Sequence, residues 1–195
     1  ISGMFSNDKS LIDWDLHELS AKNTKNVINM SYLFSSCESL KELEELKWDV
    51  SNVISMKGMF EGCLCLKDIS VISNLNLNKV KNISRMFKKC EKLVSVPKLN
   101  WNTSNVVDMS EMFHFCKALK DISGISNFNT INVKYIKYIF RFCENLPSLP
   151  SLNWNTINVI DMSYSFKNCT KLSSISGIAN WNTKNVQNMN SMFCN

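Results

Sequence analysis

The sequence predicts an α/β solenoid of about seven stacked units, each 26 or 27 residues long, with a short strand on one side and a short helix or turn on the other. Three observations carry this prediction. A phenylalanine recurs at regular intervals, further apolar and polar columns keep fixed distances from it, and each unit has too few apolar residues to enclose a core alone. We therefore expect each unit to bury its apolar side chains against its neighbours.

The recurring phenylalanine is called the anchor here, and the anchors follow one another at 26 or 27 residues: Phe34, Phe60, Phe87, Phe113, Phe140, Phe166 and Phe193. A valine stands seven residues before every anchor, and Met or Ile stands four before it. A cysteine stands three residues after the first six anchors, and a leucine stands six after them. Because the spacing alternates, two slightly different units take turns along the chain.

The secondary structure of one unit follows from its apolar spacing. From the Met or Ile column through the anchor to the leucine, apolar residues lie three or four apart, which favours a short helix. The Leu-x-x-Ile stretch that follows is short and aliphatic, which favours a buried strand. After it, one unit type carries Pro97 or Pro150 and the other carries a Ser-Gly pair at Gly124 or Gly177. Since proline cannot donate to a ladder, we expect the proline units to bend or end the strand early.

The remaining columns predict packing and backbone pairing. Asparagines eight and eleven residues before the anchors are expected to hydrogen-bond backbone groups. Tryptophans in one column are expected to pack in a corner of the core: Trp48, Trp101, Trp154 and Trp181. The six cysteines of the cysteine column are interpreted as buried free thiols, with disulfides or zinc as the weaker alternative. Cys65 and Cys194 lie off that column and are the better candidates for exposed thiols.

Catalytic chemistry is not expected. The chain has 195 residues, a net charge of +5 and two histidines, and it contains no phosphate-binding glycine loop, no nucleophile elbow and no zinc ligand spacing. His114 is expected to face solvent beside a buried Cys116, which argues against a Cys–His dyad. We therefore predict no enzyme activity, no cofactor and no metal site. No apolar run approaches the length of a membrane span, so no membrane insertion of this segment is expected.

One stretch carries a family resemblance: Trp101-Asn-Thr-Ser-Asn-Val-Val-Asp-Met-Ser-Glu-Met-Phe113-His-Phe-Cys116-Lys-Ala-Leu119. It resembles the BspA-like leucine-rich repeat, in the variant found in large bacterial and protist surface proteins. The resemblance covers essentially the whole chain. It implies a leucine-rich-repeat solenoid, display at a cell surface or secretion, and protein–protein contact or adhesion.

The domain organisation is predicted to be one solenoid over residues 1–195, with an irregular first unit over residues 1–23. Phe5 lies 29 residues before Phe34, and an insertion around Trp14 to Ala21 breaks the register. Both ends of the sequence fall inside a repeat, so we expect the segment to be an excerpt of a longer protein.

Partner binding is expected where residues vary between units. The outward positions of the expected helix place aromatic rings among basic side chains, and these are the candidate partner-binding residues: Lys88, Lys89, Phe115, Tyr135, Lys137, Tyr138, Arg141 and Phe142. The alternative is that the lysines only solvate this face and the rings pack along their stems. A second variable surface is the expected strand face, which runs from charged residues to serines: Lys41, Glu42, Glu44, Glu45, Lys67, Asp68, then Ser148, Ser151, Ser173 and Ser174.

Three functional classes follow. The first is a non-catalytic module for protein binding or adhesion on a cell surface, and the second is an intracellular scaffold or a subunit of a larger assembly. The third and weakest is a segment for substrate recognition or anionic-polymer binding that is attached to an enzyme elsewhere in the chain. This third class requires salt-sensitive binding to heparin or RNA that is lost on charge reversal at Lys88, Lys137 and Arg141.

Overall fold

A computed structural model describes residues 1–11, 21–43 and 48–194. Helix α1 spans Ala21–Thr24, and three 3-10 turns span Ser70–Ile72, Ser123–Ile125 and Ser176–Ile178. Within these residues there is no β-strand, only isolated parallel bridges between units. Most of the bridges join the residues that stand five before successive anchors, from Asn29 to Asn188. The prediction of an α/β solenoid is therefore wrong, because the units are built mainly from turns and irregular backbone.

The expected helix around each anchor is replaced by consecutive turns. In the unit of Phe113, Met112 N donates to Met109 O at 3.3 Å and Cys116 N donates to Phe113 O at 3.0 Å. Each of these bonds closes a four-residue β-turn. Alternate amides point elsewhere and donate to carbonyls of the next unit, at 2.8 to 3.0 Å: Met109, Glu111, Phe113 and Phe115. An α-helix would use these amides within its own segment. Bonding between units therefore takes the place of helix formation.

The expected strand after the leucine column is also absent from the described residues. Only Ser95–Asp121 and Ser148–Ser174 form bridges there, and the Ser-Gly units turn into 3-10 geometry instead. The two unit types fit each other at this place. A Cβ atom on Gly124 would collide with the backbone oxygen of Pro97, and one on Gly177 would collide with that of Pro150. The Ser-Gly units carry glycine because backbone carbonyls of the proline units occupy the space that a Cβ atom would need.

A ladder of phenylalanine rings forms the centre of the core. Rings of successive anchors, beginning with Phe5 on Phe34, stack with centroids 5.4 to 5.9 Å apart. Each ring from Phe34 to Phe166 is fully buried, whereas Phe193 at the end of the stack is 43% exposed. The prediction that the anchors are core residues is confirmed for the internal units.

The cysteine column lies beside this ladder. Each Sγ atom donates to the backbone oxygen of the anchor in the preceding unit at 3.1 to 3.3 Å: Cys37, Cys63, Cys90, Cys116, Cys143 and Cys169. Burial raises the pKa of the Cys37 thiol to about 11 and that of Cys169 to about 12, so these thiols remain protonated. The buried placement of the column is confirmed. Of the other two cysteines, Cys194 is exposed and Cys65 is half-buried.

The polar and tryptophan columns also behave as predicted. Asparagines eight residues before the anchors donate side-chain hydrogen bonds to backbone oxygens of the preceding unit, as Asn132 Nδ2 does to Ser104 O at 2.7 Å. Those eleven before the anchors accept from an amide two residues on, as Asn102 Oδ1 does from Ser104 N at 3.1 Å. Trp101 and Trp154 are buried, and each indole nitrogen donates to a carbonyl of the preceding unit.

The predicted break in register around Trp14 to Ala21 lies almost wholly outside the described residues, as do Glu44 and Glu45 of the expected strand face. The irregular first unit over residues 1–23 is therefore described only in part. In the described ranges, no helix is long and apolar enough to cross a membrane.

The phenylalanine ladder yields a stability prediction. Phe113→Ala removes a fully buried ring between Phe87 and Phe140, so we expect the free energy of unfolding to fall by about 3–5 kcal/mol. Phe193→Ala is the control, because its ring stacks on one side only and a smaller loss is expected. Denaturant unfolding measures both. An unchanged midpoint for Phe113→Ala would show that the ring is not a core residue.

The contact between the two unit types yields a second stability prediction. Gly124→Ala places a methyl group against backbone atoms of Val96 and Pro97, and we expect a loss of about 1–3 kcal/mol from overpacking. Ser126→Ala, two residues away in the same turn, should cost less than half as much. If thermal melts of the two variants coincide, the close approach of Pro97 to Gly124 is refuted.

Candidate functional site

The backbone on either side of each anchor is left-handed. The residues two before the anchors, and those two after Phe34 to Phe166, have φ between 51° and 78°. In the unit of Phe60 both positions are glycine, Gly58 and Gly62. Several of the later units carry large side chains there: Arg85, Lys89, Glu111, Phe115, Tyr138, Phe142 and Tyr164. An L-residue in this conformation costs roughly 1–2 kcal/mol relative to its right-handed form. The side chains at these left-handed positions contribute to one outer surface of the stack.

Aromatic rings stack on one another across this surface. Phe115 and Phe142 lie with ring centroids 4.4 Å apart, and Tyr138 and Tyr164 lie 4.8 Å apart. The Arg141 guanidinium covers both pairs, with its Cζ atom 4.9 Å from the Phe142 centroid and 5.3 Å from that of Tyr138. Such cation–π contacts hold both charge and rings in place. We call this surface the aromatic–basic face, formed by Lys88, Glu111, His114, Phe115, Tyr138, Arg141, Phe142 and Tyr164.

A single carboxylate organises the edge of the aromatic–basic face. Glu111 Oε1 accepts from Nε and Nη2 of Arg85 at 3.0 and 2.9 Å, and its Oε2 accepts from Lys88 Nζ at 2.7 Å. Burial opposes ionisation of Glu111, but hydrogen bonds from His114 and Lys88 and the neighbouring positive charges outweigh it. The pKa of Glu111 is therefore held well below its ordinary value of 4.5.

His114 corrects an expectation from the sequence. It was expected to face solvent, but it is only 7% exposed, because the turn after the anchor places its ring 4.5 Å from that of Phe115. Burial lowers the pKa of His114 below its ordinary value of 6.5. Its Nδ1 lies 3.4 Å from Glu111 Oε2, and its Nε2 is buried with no hydrogen-bond partner in the part of the chain that the structure describes. Arg141 Nε is buried and unpartnered in the same way.

The structure brings together five of the candidate partner-binding residues, namely Lys88, Phe115, Tyr138, Arg141 and Phe142. Lys137 lies at the edge, where its carbonyl accepts from Glu111 N at 2.9 Å. Lys89 is exposed, and Tyr135 is half-buried in the column of bridges; in the described part of the chain neither joins the stacked rings. The rings are half-buried against one another and under Arg141, so part of their area already packs within the chain.

Sequence reasoning missed several members of this surface. Tyr164 stands two residues before its anchor, in the same column as Tyr138, and this shared column was the available indication. Glu111 and Arg85 occupy that column as well. All three share the column of Tyr138, which is among the candidates, so the repeat register was sufficient to indicate them.

Residues 1–11, 21–43 and 48–194 form neither a metal site nor an activated cysteine nucleophile. No group of three His, Cys, Asp or Glu residues there could hold a metal ion. Cys116 lies beside His114 in sequence, but its Sγ donates to Phe87 O at 3.1 Å and its burial raises the thiol pKa. A protonated, buried thiol is a poor nucleophile.

The family described as "Mycoplasma protein of unknown function, DUF285" matches this sequence over residues 1–122 and again over residues 94–195. The chain belongs to this family. Among curated proteins nothing matches.

A solved structure supplies the fold comparison. A leucine-rich repeat protein from Eubacterium ventriosum ATCC 27560 superposes with a TM-score of 0.51 over 84% of this chain, at 23% sequence identity. The match spans 39% of that protein's chain. This likeness shows a leucine-rich-repeat-like fold, although the units here lack the helix and strand that the sequence predicted.

The ion-pair cluster around Glu111 yields a prediction on pH dependence. Glu111→Gln leaves Arg85 without its carboxylate and leaves Lys88 with only the longer pair to Glu61 at 3.5 Å, so we expect a loss of about 1–3 kcal/mol at pH 7. Because the folded-state pKa is depressed, this contribution is full above pH 4.5 and is lost as the pH falls below it. The difference between wild type and variant should therefore shrink in acid.

Glu91→Gln is the matched control, because its pair with Lys117 is 38–41% exposed and worth little. Denaturant titrations at pH 7 and pH 3 measure both variants. If Glu111→Gln destabilises no more than Glu91→Gln at pH 7, Glu111 does not organise the cluster.

Proposed function

We propose that this chain is a non-catalytic protein-interaction module, a single repeat domain over residues 1–195 that is displayed on a cell surface and used in adhesion. The aromatic–basic face is its contact surface. The resemblance of its repeats to BspA-like leucine-rich repeats of surface proteins supports this proposal, as does the leucine-rich-repeat-like fold. One observation carries it: large aromatic side chains stand at left-handed backbone positions along one outer surface.

The backbone geometry argues that these side chains have a use. Gly58 and Gly62 occupy the same positions in the unit of Phe60 without strain, so the fold does not require aromatic residues there. Phe115, Tyr138 and Phe142 nevertheless occupy them at an energetic cost. Residues in sparsely populated conformations concentrate at binding and catalytic sites, where their placement serves the mechanism. Stacking within the chain recovers part of the cost, and contact with a partner would recover more.

The chemistry of the surface suits a protein partner. Tyrosine and arginine dominate the binding energy of protein interfaces, because they bury a large area with few rotatable bonds and keep a polar end. Tyr138, Tyr164 and Arg141 are already held in position by mutual stacking, which lowers the entropic cost of binding. The unpartnered nitrogens of His114 and Arg141 are further donors or acceptors that a partner could satisfy if it rearranged this layer.

An experiment with matched variants tests the proposal. Phe115→Asn and Phe142→Asn, combined with Arg141→Gln, remove the rings and the guanidinium. Asparagine fits these positions, since Asn168 has φ 61° at the corresponding place in the next unit. The control variant is Val94→Asn with Ile131→Asn, two exposed apolar residues outside the aromatic–basic face. Beads coated with each protein are incubated with cells, and adherent beads are counted.

We expect wild type and control to adhere equally and the face variant to fall by about tenfold, the loss of roughly 1.4 kcal/mol of binding free energy. Equal adhesion of all three coated proteins would contradict the role of the aromatic–basic face. If no coated bead adheres above uncoated beads, surface adhesion is refuted. Face-dependent capture of an intracellular protein would then favour the scaffold function.

A further inference from the structure

A polar cavity lies at the edge of the aromatic–basic face. Three residues before successive anchors, the chain carries Lys57, Ser84, Ser110 and Lys137, so two short side chains stand between two long ones. Because the two serines are short, a cavity of about 200 Å³ remains between the lysines, and these four residues and their neighbours line it. Since a water molecule takes roughly 30 Å³, a phosphate or carboxylate group fits with its hydration partly retained.

Ser110 is the unusual member of this column. The hydroxyls of Ser84 and Ser163, at the same place in other units, donate to the Oδ1 atoms of Asn82 and Asp161 at 2.7 Å. The backbone amide of Ser110 donates to Asp108 Oδ1 at 2.8 Å, but its hydroxyl has no partner among the described residues. Ser110 is 5% exposed and lines the cavity. A buried hydroxyl without a partner is costly, and a ligand in the cavity would satisfy it.

The charges around the cavity favour an anion. Glu111 is neutralised by Arg85 and Lys88, as described above. Lys57 and Lys137 line the cavity from two sides, and no ion pair involving either occurs in the described ranges. Against them stands Asp108, whose Oδ1 accepts from the Ser110 amide. The lining residues carry three positive charges, on Lys57, Arg85 and Lys137, and two negative ones, on Asp108 and Glu111. Lys88 adds nothing to this balance, because Glu61 lies 3.5 Å from it. Positive charge is therefore in excess by one, and an oxyanion is the ligand that this cavity suits.

We propose that this cavity binds an oxyanion carried by the protein partner of the aromatic–basic face. Ser110 Oγ donates a hydrogen bond to the oxyanion, and Lys57 and Lys137 flank it with positive charge. The inference rests on the proposed function and adds the chemistry of the partner, which presents an acidic group beside the residues that contact the rings. A carboxylate of Asp or Glu and the phosphate of a phosphorylated residue share this chemistry.

The test uses small probes and the whole chain. Uniformly ¹⁵N-labelled protein is titrated with inorganic phosphate and, separately, with acetate at constant ionic strength, and amide chemical shifts are followed. We expect saturable shifts at Arg85, Ser110 and Glu111. Ser110→Ala should weaken binding about tenfold, the loss of one charge-assisted hydrogen bond, while the control Ser163→Ala should change it less than about twofold. Lys137→Gln should weaken binding by a similar factor, and the exposed control Lys134→Gln should not.

Each outcome decides between alternatives. Saturation by phosphate alone indicates a phosphorylated partner, and saturation by both probes indicates that an acidic side chain suffices. The proposal is overturned if neither probe gives saturable shifts at these amides, or if Ser110→Ala and Ser163→Ala bind alike. Ser110→Ala is expected to fold, because it removes a hydroxyl without a partner, and its remaining amide spectrum verifies this. Since the titration needs no partner, its failure is separate from a failure of the adhesion experiment.

Discussion

Alternate backbone amides around the anchors from Phe34 to Phe166 donate their hydrogen bonds to the neighbouring unit, and the other features of the repeat follow from this arrangement. Phe87 N donates to Met112 O and Phe113 N donates to Ile139 O, each at 2.9 Å. The four-residue turns that begin at Met109 and at Phe113 have a positive φ at their third residues, Glu111 and Phe115, as type II turns do. Because successive units repeat the same backbone, the anchor rings stack on one another. The thiols of the cysteine column donate hydrogen bonds to the anchor carbonyls.

The same arrangement explains where the candidate binding surface lies. A left-handed residue two positions before and after each anchor brings side chains from successive units into columns on the outside of the stack. Where the columns carry glycine, as at Gly58 and Gly62, little is displayed. Where they carry Phe115, Tyr138 and Phe142, the rings stack between units, and the side chains between them, such as Arg141, cover the rings. The cavity beside Ser110 arises in the same manner, from short side chains in a column of long ones.

Much of this structure could be predicted from the sequence, because side-chain columns report on burial and pairing whatever backbone connects them. The anchor core, the buried thiols, the amide hydrogen bonds and the alternation of two unit types were all predicted in this way. The backbone itself could not be predicted, since apolar residues three or four apart suit an α-helix and a series of turns equally well. His114 shows the consequence: one residue after an anchor it would be exposed on a helix, but it is buried by the turn.

The central claim is that left-handed turns, rather than helices, place the residues of the aromatic–basic face. The most direct test is solution NMR of the whole chain, with backbone chemical shifts and one-bond ¹³Cα–¹Hα couplings, which depend on the sign of φ. The account predicts positive φ at Glu111, Phe115, Tyr138 and Phe142, and negative φ at Phe113 and Phe140. Continuous right-handed helical values from Met109 to Leu119 would contradict it.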